Sequence, residues 1–256
     1  MLWDASSMNG YAIEATDGRI GTVSDMLFDD AGWAVRWLVV DTGVWLPGRK
    51  VLLPLSVLGH PDKALRTFPV TLTQKQVEDS PNIDADQPVS RQTEGHLYRH
   101  YRHEPYWGGG IFPVSDEMAT PMVTPLGFPD MGARVCEDLY VPSNPGDPHL
   151  RSIYAVTGYH IAATDGDIGH AEAFLVDDAR WTIRYIVVDT QNWWAGEKVL
   201  ISPPMVERID WPEKRVHVKA DRQKIKDGPR YDPMITVDGA YDESFLTYYG
   251  IRWTKA

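Results

Sequence analysis

Residues 10–53 return as residues 158–201, and this duplication restricts the fold more than any other feature of the chain. Gly10-Tyr11, Ala15-Thr16-Asp17-Gly18, Ile20-Gly21 and Asp29-Asp30-Ala31 recur as Gly158-Tyr159, Ala163-Thr164-Asp165-Gly166, Ile168-Gly169 and Asp177-Asp178-Ala179. Val39-Val40-Asp41-Thr42 and Lys50-Val51-Leu52 come back as Val187-Val188-Asp189-Thr190 and Lys198-Val199-Leu200. Each counterpart lies 148 positions on, as from Gly10 to Gly158 and from Lys50 to Lys198, and the register never slips. About half of the aligned positions are identical. A unit copied in this way predicts two similar domains, and 256 residues suffice for both.

Within the unit, short apolar runs alternate with turn residues. Gly10 to Ala15 and Ile20 to Phe28 read as strands joined at Asp17-Gly18, where glycine accepts the positive φ of a tight turn. Asp29-Asp30-Ala31-Gly32 makes the next turn, and Arg180 replaces Gly32 in the second copy, so glycine is not required there. The third strand, Trp33 to Thr42, carries Val35, Trp37 and Val39 on one face and Arg36, Leu38 and Val40 on the other. Its copy sets Ile183, Tyr185 and Val187 against Arg184, Ile186 and Val188. A strand apolar on both faces needs cover on both, and the other copy or a second chain is the expected cover. Lys50 to Leu53 and Leu65 to Val70, with Lys198 to Ile201 and Arg215 to Val218, add shorter strands. Short strands at close spacing favour small antiparallel barrels, since closure removes exposed edges.

Helices close each copy. Thr73 with Gln76 forms a capping-box pattern, matched less completely by Asp221 and Lys224. Pro81 and Pro229 end these segments. Leu97 and Tyr101 fall on Phe245 and Tyr249 in the same register, which predicts a second short helix packed back on each barrel. Between the copies, residues 104–149 carry Gly108-Gly109-Gly110 and repeated prolines, among them those at 113, 121, 125, 129, 142, 145 and 148, a composition that excludes long helices and central strands. The expected division is a first domain at 1–103, a connector at 104–149 and a second domain at 150–256.

These residues resemble the PRC-barrel family: Gly-Tyr-x-Ile, Asp-Gly-x-Ile-Gly, Asp-Asp, Val-Val-Asp, then Lys-Val-Leu and a helix ending before proline, present twice in step. The family takes its name from the cytoplasmic domain of the photosynthetic reaction-centre H subunit, and a similar domain forms the C-terminal part of a ribosome-maturation factor. The resemblance implies a mainly β protein of two small antiparallel PRC-type barrels, each with short C-terminal helices, arranged as a pseudo-twofold pair. It also implies an assembly or interaction module without shared catalytic residues. A non-catalytic scaffold is therefore the expected function, and a ribosome-maturation or RNA-processing adaptor is the alternative. Asp25, at a position often acidic in the family, becomes Ala173 in the second copy, so no common acidic chemistry is expected there.

The chemistry-bearing residues are read against that expectation. The net charge of −11 argues against a nucleic-acid surface. Cys136 is the only cysteine, which excludes intrachain disulfides and leaves no cysteine-based zinc site. No leader pattern opens the sequence, and no window approaches the roughly 20 apolar residues of a membrane span, so a cytoplasmic protein with no membrane contact is expected. His96 and His100, four apart on a helix face with His103 beyond, are weak metal candidates; no cofactor is expected. The duplicated aspartates 17, 29, 30 and 41, with 165, 177, 178 and 189, are read as turn chemistry. Arg36 and Arg184 each invite an ion pair with an acid at the barrel rim. The interface candidates are Arg36, Leu38, Val40, Trp45, Arg184, Ile186, Val188, Trp193 and Trp194, because aromatic and buried apolar groups concentrate at contacts. The partner is an unknown protein, barrel packs on barrel within the chain, and homo-oligomerisation is left open.

Overall fold

The computed structural model describes residues 2–81, 89–103, 105, 148–190, 197–232 and 237–251. Trp193, Trp194, Cys136 and nearly all of the connector lie outside the described residues. The strands are β1 (Leu2–Asp4), β2 (Ala12–Ala15), β3 (Gly18–Asp29), β4 (Val35–Asp41), β5 (Lys50–Pro54), β6 (Thr67–Pro69) and β7 (Val89–Ser90). After them come β8 (Pro148–Ser152), β9 (His160–Ala163), β10 (Gly166–Asp177), β11 (Thr182–Asp189), β12 (Lys198–Ile201), β13 (Val206–Asp210) and β14 (Arg215–Val218). Helices are α1 (Gln74–Glu78), α2 (Arg91–Tyr101), α3 (Ile153–Val156), α4 (Arg222–Lys226) and α5 (Gly239–Tyr249).

The strands form two seven-stranded sheets. One runs β5-β4-β3-β2-β6 and the other β12-β11-β10-β9-β14-β13, with β7 and β8 attached to the first and β1 to the second. Both sheets are mixed, which corrects the purely antiparallel expectation. The chain crosses over after β5 and returns with β6 parallel to β2, and β14 lies parallel to β9 in the same way. Alternation fixes which face a side chain takes but not the direction of the neighbouring strand.

Local chemistry explains the turns. Gly18 and Gly166 open β3 and β10 at φ 151° and 146°. The aspartates before them point elsewhere: Asp17 accepts from the Gln74 amide at 2.7 Å and Asp165 from the Arg222 amide at 2.8 Å, so each turn caps the helix of its own copy. Thr73 and Gln76 make both bonds of the capping box. In the third-strand turn, Asp29 accepts from the Ala31 and Gly32 amides. The left-handed residue there is Trp33, φ 56°, and its counterpart is Trp181, φ 51°. That is why Arg180 replaces Gly32 without difficulty.

The doubly apolar third strands are buried on both faces: Val35, Trp37, Leu38, Val39 and Val40 in β4, and Ile183, Tyr185, Ile186, Val187 and Val188 in β11. On the Trp37 side the cover is the copy's own second helix, not the other copy. Trp37 packs on Tyr98 of α2 at 4.8 Å between ring centroids, and Tyr185 on Phe245 of α5 at 5.0 Å. Each helix also brings an acid. Fully buried Glu94 accepts from Trp37 Nε1 at 2.7 Å, and Asp242 accepts from the Tyr185 hydroxyl and pairs with Arg184 at 2.5 Å. Burial first, then the Glu94 charge, pushes the Tyr98 phenol up to about 12. Among the described residues no helix is long and apolar enough to cross a membrane.

Candidate functional site

The two sheets meet by exchanging strands. Leu2, Trp3 and Asp4 of β1 pair with Asp177, Val176 and Leu175 of β10. Leu150, Arg151 and Ser152 of β8 pair with Asp29, Phe28 and Leu27 of β3. Under the 148-residue offset these registers are identical. Ala34 bridges Thr182, its own counterpart. On either side of that bridge the Val35 amide donates to Trp181 O at 2.7 Å and the Ile183 amide to Trp33 O at 2.8 Å. The left-handed tryptophans thus aim their carbonyls into the opposite sheet. Phe28 meets Phe174 at 6.3 Å, and Trp181 meets Phe68 at 6.3 Å, so the apolar core runs through the junction without a break.

Around this frame the halves use different chemistry at equivalent places. Trp3 donates its indole N–H to Asp178 at 3.0 Å, while its counterpart Arg151 donates to Asp30 at 3.1 Å. Lys63 lies 4.1 Å over the Trp3 ring, and Arg151 lies 4.0 Å over Trp211, the counterpart of Lys63. Cation and ring have changed places between the halves while the contact survives.

The same exchange accounts for Asp25. The turn Ala5–Met8 is capped by Asp4 of its own strand, which accepts from the Ser6 amide at 2.8 Å. In the second half Ser152 stands where Asp4 does, and the carboxylate arrives from the other copy, from β3, the strand on which β8 pairs. Asp25 accepts from the Tyr154 amide at 3.1 Å and from the Ser152 hydroxyl. Ala173 therefore loses the acid because Asp4 supplies it. Between these turns lies a cavity of about 220 Å³, lined by Ala5, Ser6 and Asn9, their counterparts Ile153, Tyr154 and Thr157, and Asp25 with Met26.

Burial raises the Asp25 carboxyl above its ordinary value, and its hydrogen bonds offset that only in part. The native state then binds a proton that the unfolded chain releases, so stability falls as pH rises from the ordinary aspartate value through the raised one. Asp25→Asn removes that dependence. Urea midpoints from pH 4 to 7 are expected to decline less in the variant than in the parent protein; parallel curves would refute this.

The nominated residues fall into three groups. Leu38, Val40, Ile186 and Val188 are fully buried, so no outside partner reaches them in this arrangement. Arg36 reaches Asp29 at 3.4 Å and Arg184 reaches Asp242, pairs made within each half. Trp45 is half-buried against the core, and Trp193 and Trp194 lie outside the described residues. On α2, His100 Nε2 donates to Gln76 O at 2.8 Å, and His96 Nδ1 lies 3.4 Å from the Arg99 guanidinium. What the sequence did not disclose is the pairing of β1 with β10 and of β8 with β3, and a histidine pair, His160 with His170, at 4.4 Å between ring centroids. The Asp165-Gly166 turn was part of the signal: a regular hairpin from it sets His160 opposite Gly169, and a bulge between Asp167 and Gly169 moves His170 into that place.

Residues 4–73 match the PRC-barrel domain family. An uncharacterized protein of Deinococcus radiodurans is 35% identical over 94 residues, covering 36% of this chain. The chain spans 34% of the length of that relative.

Proposed function

We propose that the chain is a tandem PRC-barrel protein whose two barrels pack about a pseudo-twofold axis and serve as a non-catalytic protein–protein interaction or scaffold module. The observation that carries this reading is the reciprocal strand exchange. β1 and β8 are given and taken in one register, and Ala34 meets its own counterpart between them. That is the contact an isologous homodimer of single barrels would make, here fused into one chain. The second half enters the family through the motif residues it shares with the first, 148 positions on. Polar groups at the junction are consumed in capping and pairing, which leaves the duplicated acids with structural work.

The test cuts the 256-residue chain at a protease site inserted within residues 106–147. The halves are expected to remain together through size-exclusion chromatography and to separate only in denaturant. Halves that part as folded, independent monomers would overturn the paired arrangement. The scaffold role is tested by capturing partners from the native host and rebuilding the complex from purified components. Salt-sensitive co-sedimentation with ribosomal subunits would replace the scaffold by the ribosome-maturation adaptor.

A further inference from the structure

We infer that His160 and His170 form a two-imidazole binding site for a late first-row divalent metal ion, with Cu2+ held most tightly. The two residues are direct partners across the antiparallel β9–β10 pair, and their rings lie 4.4 Å apart at 48°. Residues so placed have Cβ atoms about 5 Å apart, a span that one ion bonded to both rings at about 2 Å can bridge. His160 is exposed and His170 half-buried, so an ion from solvent reaches both.

The surrounding row is built differently from its counterpart. Across β14, β9, β10, β11 and β12, the paired residues run Arg215, His160, His170, Asp189, Lys198. In the first half the same row reads Thr67, Ala12, Thr22, Asp41, Lys50. The second half keeps the aspartate and lysine and gains two imidazoles. Both flanking cations are already paired, Arg215 with Asp167 and Lys198 with Glu172, each at 2.5 Å, so their repulsion of an incoming ion is reduced. The helical pair His96 and His100 has no such arrangement, since His100 is spent on a backbone carbonyl and His96 faces a guanidinium. Among the described residues no group of three His, Cys, Asp or Glu side chains could hold a metal, so water completes the coordination. Imidazole donors with open positions suit copper, nickel and zinc, and copper leads that order.

The experiment titrates CuCl2 into the full chain without an affinity tag, followed by calorimetry and by electron paramagnetic resonance. One equivalent is expected to bind with a signal from two nitrogens, and ZnCl2 to compete more weakly. His160→Gln and His170→Gln are each expected to abolish this site, while His96→Gln and His100→Gln leave it unchanged. Absence of stoichiometric binding, binding that survives both strand variants, or loss caused by the helix variants would each overturn the inference.

Discussion

Gly169→Ala is expected to cost the protein about 3 kcal/mol or more, the largest loss of any methyl addition at the described glycines. A Cβ there would sit 1.9 Å from the Asp189 carbonyl oxygen, and φ is 144°. The obstacle is backbone, so no side chain can swing aside; β10 must move off β11 or the ladder must break. Strain at a disallowed φ costs about 1–3 kcal/mol, and forced overpacking about as much again. Gly21→Ala meets the Asp41 carbonyl at 2.1 Å without a positive φ, so its loss is expected to be somewhat smaller. Gly95→Ala is the control: it lies in α2 with nothing within 4 Å, and alanine there should gain about 0.5–1 kcal/mol. Urea unfolding of the three variants measures the order. A Gly169→Ala protein within 1 kcal/mol of the parent would mean that β10 and β11 do not approach as closely as described.

The same glycines mark what the sequence could disclose. Gly21 and Gly169 recur in step, but recurrence alone does not say which strand presses on them. Strands β2 to β5 and their copies were legible because alternation and Asp-Gly turns are local signals. The capping box at Thr73 and Gln76 was legible for the same reason. β1 has three residues and pairs with a strand more than 170 positions away; no pattern so short encodes a partner so far. The doubly apolar β4 announced that it had a cover, but only packing could assign that cover to Tyr98 of α2. Exchanges such as Lys63 over Trp3 for Arg151 over Trp211 were hidden because each residue alone looks unlike its counterpart. They become one interaction only when the chain is folded. His160 and His170 lay between these extremes, since the hairpin turn was legible but the bulge that sets the two residues opposite each other was not.

Glu94→Ala is the second large effect, expected at about 3 kcal/mol. Glu94 is fully buried in the first turn of α2 and accepts from Trp37 Nε1 at 2.7 Å. Truncation leaves a buried indole N–H without its acceptor, which costs about 1–3 kcal/mol; the bond lost is charge-assisted, which puts the effect at the upper end. Glu94→Gln keeps an oxygen in reach and should lose less than half as much. Asp242→Ala removes the equivalent acid, but that side chain keeps 26% of its surface in water, so the partners it abandons can be resolvated and the loss should be smaller than at Glu94. Pairing Glu94→Ala with Trp37→Phe in a double-mutant cycle isolates the bond itself. Coupling of about 1 kcal/mol or more is expected. Additive losses would show that α2 is held to β4 by packing, with Tyr98 stacked on Trp37, and not by the Glu94 bond.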